Sequence, residues 1–170
     1  MSVTLTLEVL AKYPNTAFLE TGAYRGDAIQ LALEAGFRQV VSVELNPELH
    51  RRCAIRYAAD VRVNLWRGDS AMLLGSMLRD LGDERATIWL DAHWTDQTGG
   101  SNPLYAELEA LRVAGRHDHT ILIDDVCHFP KMGYSKQYVE RTLREINPDY
   151  RICYEPNRFV PGDILAACVH

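Results

Sequence analysis

Apolar residues along this chain keep two alternating rhythms. Short, nearly continuous apolar runs, rich in Val, Ile and Leu, alternate with longer segments whose apolar side chains recur every three or four positions. The first rhythm predicts buried strands at residues 17–21, 39–45, 61–66, 86–90 and 120–123. The second predicts helices at 4–13, 27–35, 47–59, 71–81, 103–114 and 135–146. Boundary chemistry supports several of these. Pro14 and Gly36 stop the first two helices, Asn46 with Pro47 starts the third, and Leu104, Leu108 and Leu111 share one face of the fifth. Two closing strands, 150–154 and 163–169, follow each other with no helix between them. The alternation implies an α/β fold: a mostly parallel sheet with helices on both faces and an antiparallel hairpin at the end.

Such sheets bind ligands beyond the carboxyl ends of their strands. Glu20, Glu44, Asp69, Asp91, Asp124 and Asp125 all fall at predicted strand ends. Together they would concentrate negative charge on one rim. The first strand runs into Glu20-Thr-Gly22-Ala-Tyr24-Arg-Gly26, and a helix follows. Gly22 permits a sharp turn, and Gly26 would leave room for a ligand at the helix mouth. The spacing is not the dinucleotide fingerprint, because Tyr24 and Asp27 stand where that pattern needs glycine.

Bulk composition narrows the function class. The chain has 170 residues, 47% hydrophobic and 24% charged, enough for one globular domain with a sizeable core. A net charge of −5 disfavours a nucleic-acid backbone as partner. No apolar stretch is long enough to span a membrane and no signal pattern opens the chain, so a cytoplasmic location is expected. Cys53, Cys127, Cys153 and Cys168 are scattered, which predicts reduced core thiols.

In these motifs the chain resembles the class I S-adenosylmethionine-dependent methyltransferases over nearly its whole length. Glu20 to Gly26 resembles the family's glycine-rich first motif, which approaches the methionine part of the cofactor. Val41-Ser-Val-Glu44 resembles the second motif, whose acid binds the ribose hydroxyls; Glu44 lies 18 residues after Gly26 (44 − 26). A carboxylate can accept from two adjacent hydroxyls. Gly68-Asp69-Ser70 matches the position that contacts adenine. The resemblance implies a Rossmann-like αβα sandwich with a seven-stranded sheet, a minimal core spanning 1–170 without a cap domain. Glu20, Gly22, Tyr24, Gly26, Glu44, Asp69, Ser70 and Asp91 would hold the cofactor.

A narrower resemblance links Ile88-Trp-Leu-Asp91-Ala-His93-Trp94 and Ile121-Leu-Ile-Asp124-Asp125 to divalent-cation-dependent small-molecule O-methyltransferases of the catechol and macrocin types. It implies that Asp91, Asp124 and Asp125 ligate Mg²⁺, a hard ion that prefers carboxylate oxygen. The ion would lower the pKa of an acceptor hydroxyl near the methyl donor. This chain departs from the catechol type in lacking a lysine shortly after Asp91. His93 is the general-base candidate there, and Asp91 would assist catalysis. The extra segments of macrocin-type enzymes are also absent, so short loops, a partner, or a second subunit in a homodimer would complete the acceptor pocket.

Other features carry less. The glycine-containing loop 95–102 reads as a lid, and Trp94 and Tyr24 as stacking rings or core. Cys127, His128, Lys131 and Tyr134 should border the substrate, but adjacent side chains point apart, which disfavours zinc. His117-Asp118-His119 reads as a solvated turn at the opposite rim. The Asn/Asp-Pro-Pro-Tyr motif of many N-methyltransferases is missing. The expected activity is methyl transfer to an oxygen of a small-molecule acceptor. The alternatives are N-methyl or aminopropyl transfer on the same fold, because an aspartate pair can also hold a cationic amine, and a non-catalytic S-adenosylmethionine-binding partner subunit.

Overall fold

A computed structural model describes residues 3–92 and 102–169. In chain order its elements are α1 (Leu7–Lys12), β1 (Ala17–Thr21), α2 (Asp27–Glu34), β2 (Gln39–Glu44), α3 (Pro47–Arg56), β3 (Val63–Arg67), α4 (Ser70–Asp80), β4 (Ala86–Leu90), α5 (Leu104–Val113), β5 (Thr120–Ile123), α6 (Phe129–Met132), α7 (Lys136–Ile146), β6 (Arg151–Glu155) and β7 (Ile164–Cys168). The strands form one seven-stranded sheet in the order β3-β2-β1-β4-β5-β7-β6. The first five are parallel, and β7 runs antiparallel to both β5 and β6. The mostly parallel sheet and terminal hairpin expected from the sequence are present.

The central strands β1 and β4 are buried at every position, which is why they read as apolar runs. Their alternate residues feed two cores. Ala17, Leu19, Ile88 and Leu90 face Leu74 and Met77 of α4, Leu104 and Leu108 of α5, and Leu143 of α7. Phe18, Trp89 and Leu122 face Val9 of α1, Ile29 and Ala32 of α2, and Cys53 of α3. β1 is the hinge of the strand order: β2 lies on one side of it and β4 on the other. The crevice beyond its carboxyl end is therefore the switch point where a ligand would sit.

Several boundaries differ from expectation for identifiable reasons. α1 starts at Leu7 because the Thr6 side chain accepts the N–H of Val9 and caps it. β3 begins at Val63, and Val61 is fully exposed ahead of it. A 3₁₀ turn (Val126–His128) and α6 occupy a stretch that carries no helical periodicity. The expectation of core thiols holds only for Cys53; Cys127 and Cys153 are exposed and Cys168 is half-buried, all four being free. Among the described residues no helix is long and apolar enough to cross a membrane.

Candidate functional site

The rim beyond β1, β2 and β3 is built around Glu44. One of its oxygens accepts the N–H of Tyr24 at 2.7 Å, and the other accepts the N–H of Asn46 at 2.8 Å. The Tyr24 backbone is left-handed, φ +49°. Its ring is partly exposed and lies against the Arg25 guanidinium. The turn between β1 and α2 is tied to β2 by the N–H groups of Gly22 and Ala23, both donating to the Val43 carbonyl at 3.0 Å.

The two glycines of this turn serve packing. Gly22 has φ +86°, and a Cβ there would lie 2.7 Å from the backbone oxygen of Asp91. The β1 turn thus presses directly on the end of β4. Gly26 has φ +79°, and a Cβ there would meet the Tyr57 ring at 2.7 Å. The space that the sequence reading gave to a ligand at Gly26 is filled by Tyr57, whose hydroxyl donates to the Gly26 carbonyl.

Glu20 is fully buried and accepts from the Ser42 hydroxyl at 2.6 Å. Burial pushes its carboxyl up to about 8; Ser42 opposes the shift, and Glu44 and Asp27 add to it. Asp69 caps α4, with one oxygen accepting the Ala71 N–H at 2.9 Å. Ser70, the first residue of that helix, is buried.

The rim beyond β4 and β5 is different. Carboxylate oxygens of Asp91, Asp124 and Asp125 lie within 4.8 Å of one another. Burial, then Asp124, Asp125 and Glu20, hold the Asp91 carboxyl well above its ordinary range. Burial raises Asp124 to about 7, against the pull of a hydrogen bond from Thr4. Asp125 is also raised, mainly by burial, and it has a left-handed backbone, φ +57°, that turns it back beside its neighbour.

Asp124 is held by elements remote in sequence, which no local pattern announces. The Thr4 hydroxyl donates to it. The Asn157 amide donates to Asp163 at 2.9 Å and reaches Asp124 at 3.5 Å. The segment ahead of α1 is secured in turn by the Arg158 N–H, which donates to the Thr4 carbonyl.

One functional candidate escaped the sequence reading. Glu107 on α5 is wholly buried, and neither of its oxygens has a hydrogen-bond partner. It faces the hydroxyls of Ser70 and Thr21; burial raises its carboxyl to about 7, and the two hydroxyls oppose that shift. The signal was available. Glu107 stands on the same stripe as Leu104, Leu108 and Leu111, an acid in a row of core positions.

The remaining candidates divide. His93 and Trp94, with loop residues 95–101, lie outside the described residues. Tyr134 is buried, and its hydroxyl accepts the Leu104 N–H, so it anchors the start of α5. Cys127 is exposed, and its thiol is pushed up to about 11, first by burial and then by Asp163, which argues against a thiolate nucleophile. The expectation of a solvated 117–119 turn fails at His119. That ring is buried, its Nδ1 accepts the Ala86 N–H at 3.1 Å, and burial lowers its pKa to about 4. Among the described residues only Asp91, Asp124 and Asp125 form a group with the spacing of metal ligands.

No protein-family model matches the chain, and no curated protein matches it. Solved structures do. A Staphylococcus aureus protein provisionally assigned as a caffeoyl-CoA O-methyltransferase is 13% identical, with 96% of this chain and 80% of that one covered at a TM-score of 0.61. The O-methyltransferase TomG from Streptomyces achromogenes, solved with S-adenosylmethionine, is 14% identical, covering 96% and 78% at 0.61. Spermidine synthase from Thermotoga maritima is 14% identical, covering 96% of this chain but 55% of that one, at 0.60. With its strand order, paired hairpin and acidic rim, this chain has the fold of the class I S-adenosylmethionine-dependent methyltransferases.

Proposed function

We propose that the chain transfers a methyl group from S-adenosylmethionine to an oxygen of a small-molecule acceptor, assisted by a divalent cation such as Mg²⁺. The observation that carries this is the division of the rim. Acids whose oxygens are held one by one border the β1 turn, and three crowded aspartates stand next to them.

The residues fit the cofactor. Each Glu44 oxygen holds one backbone N–H, and a carboxylate oxygen has a second lone pair, so the pair can accept from two ribose hydroxyls. Glu20, Gly22 and Tyr24 form the turn toward the methionine end, and Gly26 packs that turn against Tyr57. Asp69 keeps one oxygen beyond its cap, and with Ser70 it borders the adenine end. Asp91 closes the pocket from β4. S-adenosylmethionine, when bound, supplies an electrophilic methyl on its sulfonium.

The residues fit a cation as well. Asp91, Asp124 and Asp125 would hold it, since one carboxylate oxygen of each lies within 4.8 Å of the others and a hard divalent ion prefers such oxygen ligands. Carboxylates this close cannot all ionise without compensation. A divalent cation, when bound, supplies that compensation and acidifies a hydroxyl beside it. The chain's part is to hold Asp124 through Thr4 and Asn157, to aim Asp125 by its left-handed backbone, and to place the acceptor oxygen in line with the donor. His93 is the proposed base. The soluble, cytoplasmic, single-domain character expected from the sequence belongs to the same reading.

The raised carboxyls support a second reading, aminopropyl transfer to a cationic amine held by the same aspartates. Turnover on an acceptor panel, with and without a chelator, separates the two. Loss of methyl transfer on chelation supports the first. Chelator-insensitive transfer to an amine from decarboxylated S-adenosylmethionine would replace it.

A further inference from the structure

The turn between β6 and β7 is more fully hydrogen-bonded than an exposed turn needs to be. Pro156 and Pro161 bracket it, which leaves the N–H groups of Asn157, Arg158, Phe159 and Val160 between them. Each has an acceptor. The Asn157 N–H donates to the Val160 carbonyl at 3.0 Å, and the Arg158 N–H donates to the Thr4 carbonyl at 2.8 Å. The Phe159 and Val160 N–H groups both donate to the Asn157 side-chain oxygen, at 2.8 and 2.7 Å. Yet the tip of this frame is apolar and open to solvent: Phe159 is 63% and Val160 37% exposed.

Asn157 is the centre of the frame. It is buried, and a side-chain amide has two lone pairs on oxygen and two hydrogens on nitrogen. The oxygen gives both lone pairs to the tip. The NH₂ donates to Asp163 at 2.9 Å and reaches Asp124 at 3.5 Å. Asp163 accepts the Cys127 N–H at 2.7 Å with its other oxygen, which ties down the turn that follows Asp125. A second route runs through the segment ahead of α1: the Thr4 hydroxyl donates to Asp124, and the Thr4 carbonyl accepts from Arg158. The pairing of Ile123 with Leu165 puts this turn on the same rim as the aspartates. In the ring of contacts joining the tip to Asp124, the slack link is the one from Asn157 to Asp124, because 3.5 Å is beyond the usual N–H···O range.

We propose that Asn157 is a positioning residue that couples cation occupancy at Asp124 to the apolar tip, Phe159 and Val160, of the β6–β7 turn. The inference rests on the proposed cation site and deepens it. Once Asp124 is fixed as a ligand, a lone pair it keeps can take the second Asn157 hydrogen at full strength. The amide then holds the Phe159 and Val160 N–H groups more firmly through its oxygen. The coupling is reciprocal, so a firm tip favours the loaded site. The apolar tip thereby stands in fixed register with the aspartates that would face an acceptor.

The test is amide hydrogen exchange, read residue by residue by nuclear magnetic resonance on the full chain, with and without saturating Mg²⁺. Mn²⁺ affinity by electron paramagnetic resonance and thermal melts accompany it. In the wild type, Mg²⁺ should slow exchange at Phe159 and Val160 by about threefold or more. Asn157→Ala should lose that slowing and weaken Mn²⁺ binding by about tenfold. Asn157→Ser separates coupling from mere structure. Its hydroxyl can still accept the N–H groups two and three residues on, but it is too short to reach Asp124. It should keep slow exchange at Phe159 and Val160 without Mg²⁺ and lose the further slowing with it, while the Arg158 amide, tied through Thr4, still responds. A wild type that binds Mn²⁺ with no change at Phe159 and Val160, or an Asn157→Ser protein that keeps the full Mg²⁺ response there, would overturn the inference and leave the cation site standing. A wild type that binds neither ion would overturn both.

Discussion

The two halves of the acidic rim carry similar side chains in opposite circumstances. Beyond β1, β2 and β3 the acids stand apart: Glu44 takes two backbone N–H groups, Asp69 caps the first turn of α4, and Glu20, raised by burial, takes one hydroxyl from Ser42. Beyond β4 and β5, three aspartates crowd within 4.8 Å; burial raises each carboxyl, Asp124 and Asp125 raise Asp91 further, and Asp125 adds to the shift of Asp124. A satisfied carboxylate has lone pairs to spare for neutral hydroxyls. A crowded group has excess charge, which calls for a cation. Acidity alone therefore does not assign a role on this rim; the partners of each acid do.

The comparison breaks most sharply at Glu44. Glu44→Ala removes the acceptor for two ribose hydroxyls and leaves the Tyr24 and Asn46 N–H groups unpaired. Affinity for S-adenosylhomocysteine should fall by about a hundredfold or more, with divalent-ion binding unchanged; equal affinity by calorimetry would remove Glu44 from the cofactor site. The mirror experiment is Asp124→Asn with Asp125→Asn. It should weaken Mn²⁺ binding, read by electron paramagnetic resonance, by about tenfold to a hundredfold and spare cofactor affinity. Retained Mn²⁺ binding would leave the aspartates without a metal role.

Gly22 joins the halves, because its Cα lies against the Asp91 backbone. Gly22→Ala forces both a left-handed alanine and a contact at 2.7 Å. We expect a loss of roughly 2–3 kcal/mol, a fall in Tm of about 5–10 °C, together with weaker binding of cofactor and metal. A variant that melts like the wild type would show that the two turns are not in firm contact.

The last comparison concerns stability against pH. Glu20 has a folded pKa raised to about 8, so the stability it contributes is complete below its unfolded value of about 4.3 and is lost as pH climbs through 8. His119 works in the other direction. Its folded pKa of about 4 means that its contribution is present above about pH 6.5 and is lost as pH falls toward 4. Thermal melts should therefore fall away on both sides of mildly acidic to neutral pH. Glu20→Gln should make the alkaline limb shallower without touching the acid one, because Asp91, Asp124 and Glu107 are raised in the same sense and keep part of the slope; an unchanged alkaline slope would dissociate that limb from Glu20.

What was legible in the sequence follows the same division. Strands buried on both faces announce themselves as apolar runs, so β1, β4 and β5 fall where the pattern puts them. Acids at strand ends are equally visible. Their partners are not: Thr4 reaches Asp124 across 120 residues, and His119 meets Ala86 across 33. Only the closed sheet brings those groups together. Glu107 is an intermediate case, since its place on an apolar helical stripe was readable while the hydroxyls it faces were not.

The most direct test of the central claim is calorimetric titration of S-adenosylhomocysteine into the intact chain with and without Mg²⁺. The account predicts saturable binding in the micromolar range, with a separate Mg²⁺ event that depends on the β4 and β5 aspartates. No heat of binding at millimolar S-adenosylhomocysteine would contradict it.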